Sequence, residues 1–485
     1  MQTDREPPTK PAATRRALLT AATAAVPAAA LTLAGTTPAH AEPAADLDLD
    51  TGPGRRPAPQ APDRDLRRLL GELDEHRIRA TVTRLVAFGT RHTLSSQTDP
   101  ARGIGAARDW LFAQFQAAAA ASGGRMTVEL QSFVQPPGAR NPEPVTVTNV
   151  VATLRGTVAP DRIHVVSGHY DSRITDVMNF TADAPGADDD ASGVAVVLEL
   201  ARVFATRPVE STIVFAAFAG EEQGLFGSTY MAAQFKAAGA KVAAMFSNDI
   251  IGASQAWDGT PPDPRAVRLF VEGVPTSETA AQAATRQSVG GEDDGPSRQL
   301  ARFARDVAEN DATGMRIRVV WRRDRFLRGS DHIPFLQQGY PAGRLTEPRE
   351  NFDHEHQDVR VENGTQFGDL PQFCDFAYMT RVAKVNAATL WSLAQAPATP
   401  AGVGIVAAVL TNDTTLRWTR GTEPDLAGYE VLWRDSTAPD WTHVIPVGDV
   451  TTATIPVAKD NVHFGVRAVD QAGHRSPVAY PQPVT

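Results

Sequence analysis

Short, nearly continuous apolar runs alternate with helix-like stretches through the middle of this chain. The runs VTVTNVVATL (145–154), RIHVVSGHY (162–170), STIVFAAFAG (211–220) and VAAMFSNDI (242–250) are rich in β-branched residues and are predicted to be strands. VAVVLELARVF (194–204) and FGSTYMAAQFKAA (226–238) carry helical periodicity, and RIRVVWR (316–322) and HIPFLQQG (332–339) continue the alternation. Strands that are apolar throughout have to be covered on both faces. The expectation over residues 65–395 is therefore a mixed, mostly parallel α/β sheet flanked by helices. In such sheets a ligand sits beyond the carboxyl ends of the strands. Upstream, Leu66, Leu69, Leu70, Leu73, Ile78, Val82, Leu85 and Val86 recur at helical spacing. A second helix is expected from Ala106 to Ala121, carrying Trp110, Leu111 and Phe115.

The pattern changes after Leu393. AQAPATPAG (394–402) reads as a linker, and beyond it LRWTR, YEVLWR, THVIPV, TATIPV and HFGVRAVD are strand-like runs spaced by turns. Residues 396–485 are expected to form an all-β sandwich. At the other end, TRRALLT leads into an alanine-rich apolar stretch and then Ala39-His40-Ala41, the layout of a secretory signal over residues 1–41. The adjacent Arg15 and Arg16 resemble a twin-arginine export signal, which would place the folded protein outside the cell. Residues 42–64, rich in Pro, Gly and Asp, are expected to be a flexible tether.

The formal net charge is −9, so there is no electrostatic case for nucleic acid, and cations are the natural partners. No segment after the leader is apolar enough to cross a membrane, so no stable insertion is expected once the signal is removed. The single cysteine, Cys374, excludes an intrachain disulfide and is expected to be a small buried hydrophobe in a helix. Stability must then come from core size, bound metal or both.

Chemistry-bearing residues recur at the predicted strand ends: Gly168-His169-Tyr170-Asp171, the loop GADDDASG (186–193), Gly220-Glu221-Glu222, Asn248-Asp249, and NFDHEHQD (351–358). Singly, each has an ordinary reading as a helix cap, a structural histidine or a solvated acidic pair. Together at one sheet edge they point to metal. Imidazole with carboxylate suits zinc, and two clustered zinc ions suit hydrolysis. Such a site needs two histidines and three acidic residues, plus one more carboxylate as general base to take a proton from metal-activated water. Glu221-Glu222 offers one residue for each task. Asp190 is expected near the start of the following helix, and Asp188 is expected to be a loop or supporting residue.

GHYDS, GADDDASG, GEEQGLFGS, ND and the His-containing loop, in this order and spacing, resemble metallopeptidase family 28. The resemblance implies His169 as ligand to one zinc, Asp189 as the bridge, Glu222 as a terminal ligand and Asp249 as ligand to the other zinc. It further implies Glu221 as general base and Asp171 as the residue orienting the His169 imidazole. The family's last histidine normally has Asp four residues later. His354 with Asp358 fits that spacing and is the expected fifth ligand, with His356 as the alternative. SDHIPF (330–335) also resembles a family motif, which puts Asp331 and His332 beside the site without making His332 a ligand. The C-terminal segment resembles a fibronectin type III module, with Trp418 as its early buried tryptophan and Phe464 where a tyrosine is usual.

The implied function is that of a secreted di-zinc exopeptidase, chiefly an aminopeptidase acting on peptide N-termini, with a C-terminal module that binds a surface or polymer. The alternatives are a carboxypeptidase or a single-zinc glutaminyl cyclase on the same fold, and a non-catalytic binding protein. The complete two-metal ligand set argues against the cyclase, and the presence of Glu221 and Asp189 argues against the binding protein.

Overall fold

A computed structural model describes residues 52–255 and 257–484. The signal-like leader and the first part of the tether lie outside the described residues. The larger, α/β lobe opens with helices α1 (Arg64–Gly71), α2 (Glu75–Val86) and α3 (Ile104–Ala120). It then builds one eight-stranded sheet. Its strands are β1 (Met126–Gln135), β2 (Val145–Leu154), β3 (Ala159–His169), β4 (Ser211–Phe218), β5 (Lys241–Asn248), β6 (Ala266–Val271), β7 (Arg316–Val320) and β8 (Ala342–Thr346).

The order across the sheet is β1-β2-β4-β3-β5-β8-β6-β7. The four central strands β4, β3, β5 and β8 run parallel, whereas β2 joins β4 and β6 joins β8 antiparallel. This is the expected mixed sheet. Helices α4 (Ala191–Ala205), α5 (Glu221–Gly224), α6 (Phe226–Ala237), α7 (Ala280–Val289), α8 (Pro296–Ala308), α9 (His332–Gln337) and α10 (Phe376–Gln395) complete the lobe, with a small hairpin of β9 (Arg360–Glu362) and β10 (Thr365–Phe367).

The burial explains the sequence pattern. Every residue of β4 is buried, as a central strand covered on both faces requires. All of α4 but Arg202 is buried, because it is packed between the sheet and helices α2, α3 and α10. The parallel order brings the carboxyl ends of β4, β3, β5 and β8 side by side, and the loops leaving those ends carry the chemistry. Cys374 departs from expectation. It lies half-buried in the turn before α10, where Asp375 caps the helix.

Beyond α10, β11 (Ala401–Val406), β12 (Thr414–Thr419), β15 (Thr452–Ile455) and β17 (Gln482–Val484) form one sheet, and β13 (Leu426–Asp435), β14 (His443–Gly448) and β16 (Val462–Asp470) form another. Buried Trp418 packs on Tyr429 of the second sheet, with ring centroids 5.3 Å apart. β13 is buried on both faces. One face meets the partner sheet, and the other carries Glu430, paired with Arg467 of β16 and Arg55, together with Leu432 and Arg434 beside the α/β lobe. Arg434 Nη2 lies 2.6 Å from Asp294 Oδ2, and Arg302 Nη1 lies 3.2 Å from the other Asp294 oxygen. The charge of Arg434, buried on a strand covered on both faces, is thus explained by its partner on the other lobe.

Residues 52–63 correct the expectation of a flexible tether over 42–64. Trp433 Nε1 donates to Pro53 O at 2.8 Å, and Arg55 exchanges backbone hydrogen bonds of 3.0 and 2.8 Å with Val444. Gln60 N donates to Asp306 O of α8 at 3.1 Å. Asp63 caps α1 through Leu66 N at 2.7 Å and accepts from Trp391 Nε1 at 2.9 Å. The segment reads as flexible because it contributes little apolar side chain of its own. It is held largely by its backbone groups, which accept from Trp433 and Val444 on the β lobe and donate to carbonyls of Val444 and of Asp306 on the other.

The interlobe charges give two predictions. Replacing Asp294 by alanine leaves two guanidiniums buried without their carboxylate and should cost about 3–5 kcal/mol in urea unfolding. The second concerns His474, whose Nδ1 lies 2.8 Å from Asp470 and whose Nε2 lies 3.3 Å from Asp63. Those two carboxylates raise the imidazole to about 9. Burial pushes the Asp63 carboxyl up, but hydrogen bonds from His474, Leu66 N and Trp391 outweigh it and bring it to about 2. The histidine contribution is complete below its unfolded pKa of about 6.5 and is lost as pH rises towards 9. The carboxylate contribution is complete above about 4 and is lost only near pH 2. Melting temperatures of the native protein and His474→Gln should therefore differ most between pH 4 and 6.5 and converge above pH 9.

Candidate metal centre

The site is built where β3, β5 and the start of α4 meet at backbone distance. A Cβ on Gly168 would come within 2.6 Å of the Gly193 carbonyl carbon, so strand end and helix start touch without side chains between them. Asp190 ties this junction. Its Oδ1 accepts from Gly193 N at 2.9 Å, capping α4, and its Oδ2 accepts from His169 N at 2.9 Å. The last residue of the aspartate triplet is thus a helix cap, as expected, and also sets the height of His169. Asp188 turns away from the junction, with Oδ1 accepting from Gly252 N at 2.6 Å.

Two triads of potential ligand atoms result: His169, Glu221 and Asp249, and Asp189, Glu222 and His356, with the atoms of each triad within 4.8 Å of one another. Asp189 faces both histidines. Its Oδ1 lies 3.0 Å from His169 Nε2, and its Oδ2 lies 2.7 Å from His356 Nε2, which is itself 3.0 Å from Glu222 Oε1. Despite these distances, His169 Nε2, His356 Nε2, Asp189 Oδ1 and Glu222 Oε1 are buried and make no hydrogen bond. Their lone pairs converge on shared points and miss one another. Buried polar atoms are normally paired, and imidazole nitrogens mixed with carboxylate oxygens form a donor set suited to zinc. The residues present fit a zinc-type centre, with Asp189 lying between the two histidines.

The electrostatics agree. Burial drives the Glu221 carboxyl well above the usual carboxylate range, with His169 opposing and Asp249 and Glu222 reinforcing the rise. Burial also opposes protonation of His356, but the charges of Glu222 and Asp189 raise it to about 10. So many acidic groups in one place demand compensating positive charge, from protons or from cations.

His356, rather than His354, joins the cluster. The His354 ring is stacked on Phe373, with centroids 3.5 Å apart and planes 10° from parallel. Residues 352–356 form a turn, and His356 takes a left-handed backbone conformation with φ of 57°, which swings its imidazole inwards. Asp358 serves the loop instead, accepting from Thr175 N at 3.3 Å. Counting residues to an aspartate cannot reveal which histidine a turn directs inwards. Asp171 lies beside the His169 imidazole, as expected. His169 Nδ1 is 3.2 Å from the Asp171 backbone carbonyl and 3.6 Å from its Oδ1, and the carboxylate also accepts from Glu221 N and Glu222 N at 3.2 and 3.1 Å. Asp171 therefore positions the His169 ring and the Glu221-Glu222 pair together.

Four supporting residues were not apparent in the sequence. Asp369 accepts from Asp188 N and Asp189 N at 2.7 and 2.8 Å, fixing the backbone of the shared aspartate. Fully buried Arg91 donates to the carbonyls of Tyr170, Leu85, Pro185 and Gly186, pinning the aspartate loop to the end of β3. Arg344 donates to Asp249 Oδ1 at 3.0 Å, and Arg173 donates to Glu222 Oε2 at 2.8 Å. No motif marks them, since each acts by reaching a distant segment. Asp331 is buried with neither carboxylate oxygen hydrogen-bonded, and His332 Nε2 donates to Arg323 O at 2.7 Å, outside both triads. Replacing His356 by alanine should lower zinc stoichiometry, measured by elemental analysis after dialysis, while His354→Ala should leave it intact.

Residues 149–365 match the family described as Peptidase family M28. A protein of Pyrenophora tritici-repentis called a probable zinc metalloprotease is 52% identical over 427 residues, covering 88% of each chain. A probable zinc metalloprotease of Pyricularia oryzae is 53% identical over 430 residues, covering 87% of this chain and 86% of its own. The crystal structure of LapA from Legionella pneumophila shares the fold, with a TM-score of 0.50 at 20% identity over 70% of this chain and 78% of that one. Sequence identity at this level over nearly the whole length, with the zinc-type donor set assembled at the strand ends, makes this chain a member of peptidase family M28 and a zinc metalloprotease.

Proposed function

We propose that the protein is a two-zinc exopeptidase, and specifically an aminopeptidase. The observation that carries the reading is Asp189, whose two oxygens face a different histidine each, at the floor of a cavity of about 500 Å³ that Glu221 also lines. His169, Asp189 and Asp249 would hold one ion, and Asp189, Glu222 and His356 the other. When bound, zinc supplies Lewis-acid polarisation of the scissile carbonyl and lowers the pKa of water.

The chain's own residues do the rest. Glu221 follows the αL residue Gly220 at the end of β4, and no hydrogen bond to its carboxylate ties it down among the described residues. It is free to take a proton from the attacking water and pass it to the leaving amine. Asp171 holds that residue through its backbone N–H, and Asp369 and Asp190 hold the geometry of Asp189 and His169. Export by the twin-arginine route belongs to this reading and rests on the Arg15-Arg16 leader alone.

Glu221→Gln should retain both metals by elemental analysis yet lose about 10²–10⁴-fold in kcat on peptides. Full activity in that variant would sink the base assignment, and one tightly bound zinc per chain would favour a cyclase-like centre. Peptides blocked at one end or the other, with zinc and with chelator, decide polarity and metal dependence together.

A further inference from the structure

The charges lining the catalytic cavity fall into two groups. The acidic ones, Asp189, Glu221, Glu222 and Asp249, all belong to the metal cluster at its floor. The remaining charged residues are four arginines: Arg140, Arg173, Arg325 and Arg328. Arg173 is engaged by Glu222 and His356. Arg325 and Arg328 share the buried carboxylates Glu350 and Glu355, although Arg328 remains one-third exposed, at 34%.

Arg140 is different. Its hydrogen bond is Nη1 to the Glu222 carbonyl oxygen at 2.7 Å, and no carboxylate lies within ion-pairing distance of it among the described residues. It is exposed at the mouth of the cavity, on a turn closed by Gly138 N donating to Asn141 O at 2.8 Å. The fully buried Asn141 locks that turn by donating to Pro136 O at 2.7 Å. A guanidinium hydrogen-bonded to the backbone of Glu222, with donors to spare, is placed to receive a carboxylate.

The four lining acids all belong to the metal cluster, and Asp249 Oδ1 is also held by Arg344. The lining arginines equal the lining acids in number, and Arg140 is the one whose charge no carboxylate offsets among the described residues. An uncompensated guanidinium at the rim favours an anionic group there. Resting on the peptidase reading, we infer that the cleft selects peptides bearing a carboxylate close to the scissile bond, bound by Arg140 with Arg328 beside it. That carboxylate is either an acidic side chain or the C-terminus of a short peptide.

The test uses the zinc-loaded full chain and two matched peptide pairs. One pair differs by Glu against Gln next to the scissile bond, the other by a free against an amidated C-terminus in a dipeptide. The expected result is a kcat/KM at least about tenfold higher for the acid in one pair, with Arg140→Gln bringing that ratio towards unity. Calorimetric Kd values on zinc-loaded Glu221→Gln should show the same preference without turnover. A preference in the first pair assigns the side chain, and in the second the chain end. Equal kcat/KM within both pairs, or a ratio that survives Arg140→Gln, overturns the inference while leaving the peptidase reading intact. Cleavage of none of the four peptides overturns that reading, and this inference with it.

Discussion

Everything catalytic in this protein depends on one carboxylate that is not itself a ligand candidate. Asp190 receives the backbone N–H of His169 with one oxygen and of Gly193 with the other, so the end of β3 and the first turn of α4 share a single anchor. The two glycines at the junction allow the backbones to touch, and Asp189 is thereby delivered between the two histidines. Removing the anchor would release a helix N-terminus and a histidine at once. Two backbone donors and the helix dipole offset part of the cost of burying this acid, while burial still drives its carboxyl well above the usual range.

Around that junction the fold arranges supports of opposite charge in layers. Arg91 and Arg344 are buried guanidiniums that hold backbone carbonyls and Asp249, and Asp369 holds backbone amides of the aspartate loop. These groups keep the ligand atoms converged although four of them make no hydrogen bond. Rigidity from a fixed surrounding shell is what a metal centre needs, because ligand atoms a few tenths of an ångström out of place lose affinity. The β lobe and the strap of residues 52–63 extend the same principle outward. They are fastened through Asp294, Asp306 and Asp63, and the three segments cluster as one compact unit.

Much of this was legible in the chain. The apolar runs at 145–154, 162–170, 211–220 and 242–250 became strands because a strand buried on both faces has no other way to be written. His169, Glu221, Glu222 and Asp249 stand at or just after strand ends and Asp189 in the loop before α4, and it was the resemblance to family 28 that singled them out from their neighbours. His354 did not follow. Both histidines sit in the same turn, and only the left-handed conformation at His356 and the stacking of His354 on Phe373 separate them. Cys374 was read into α10 by its apolar character, whereas the cap at Asp375 starts the helix one residue later.

The sequence by itself determined the sheet, its covering helices and the set of ligand-type residues at one edge, because alternation and strand-end placement are local properties of the chain. Only the tertiary structure decided which histidine completes the second triad and which arginines surround the cleft. It alone decided, too, that a Pro- and Gly-rich segment is a strap between lobes. Those outcomes depend on contacts between residues up to several hundred positions apart, such as Trp433 with Pro53, and no periodicity within a segment records what lies across from it.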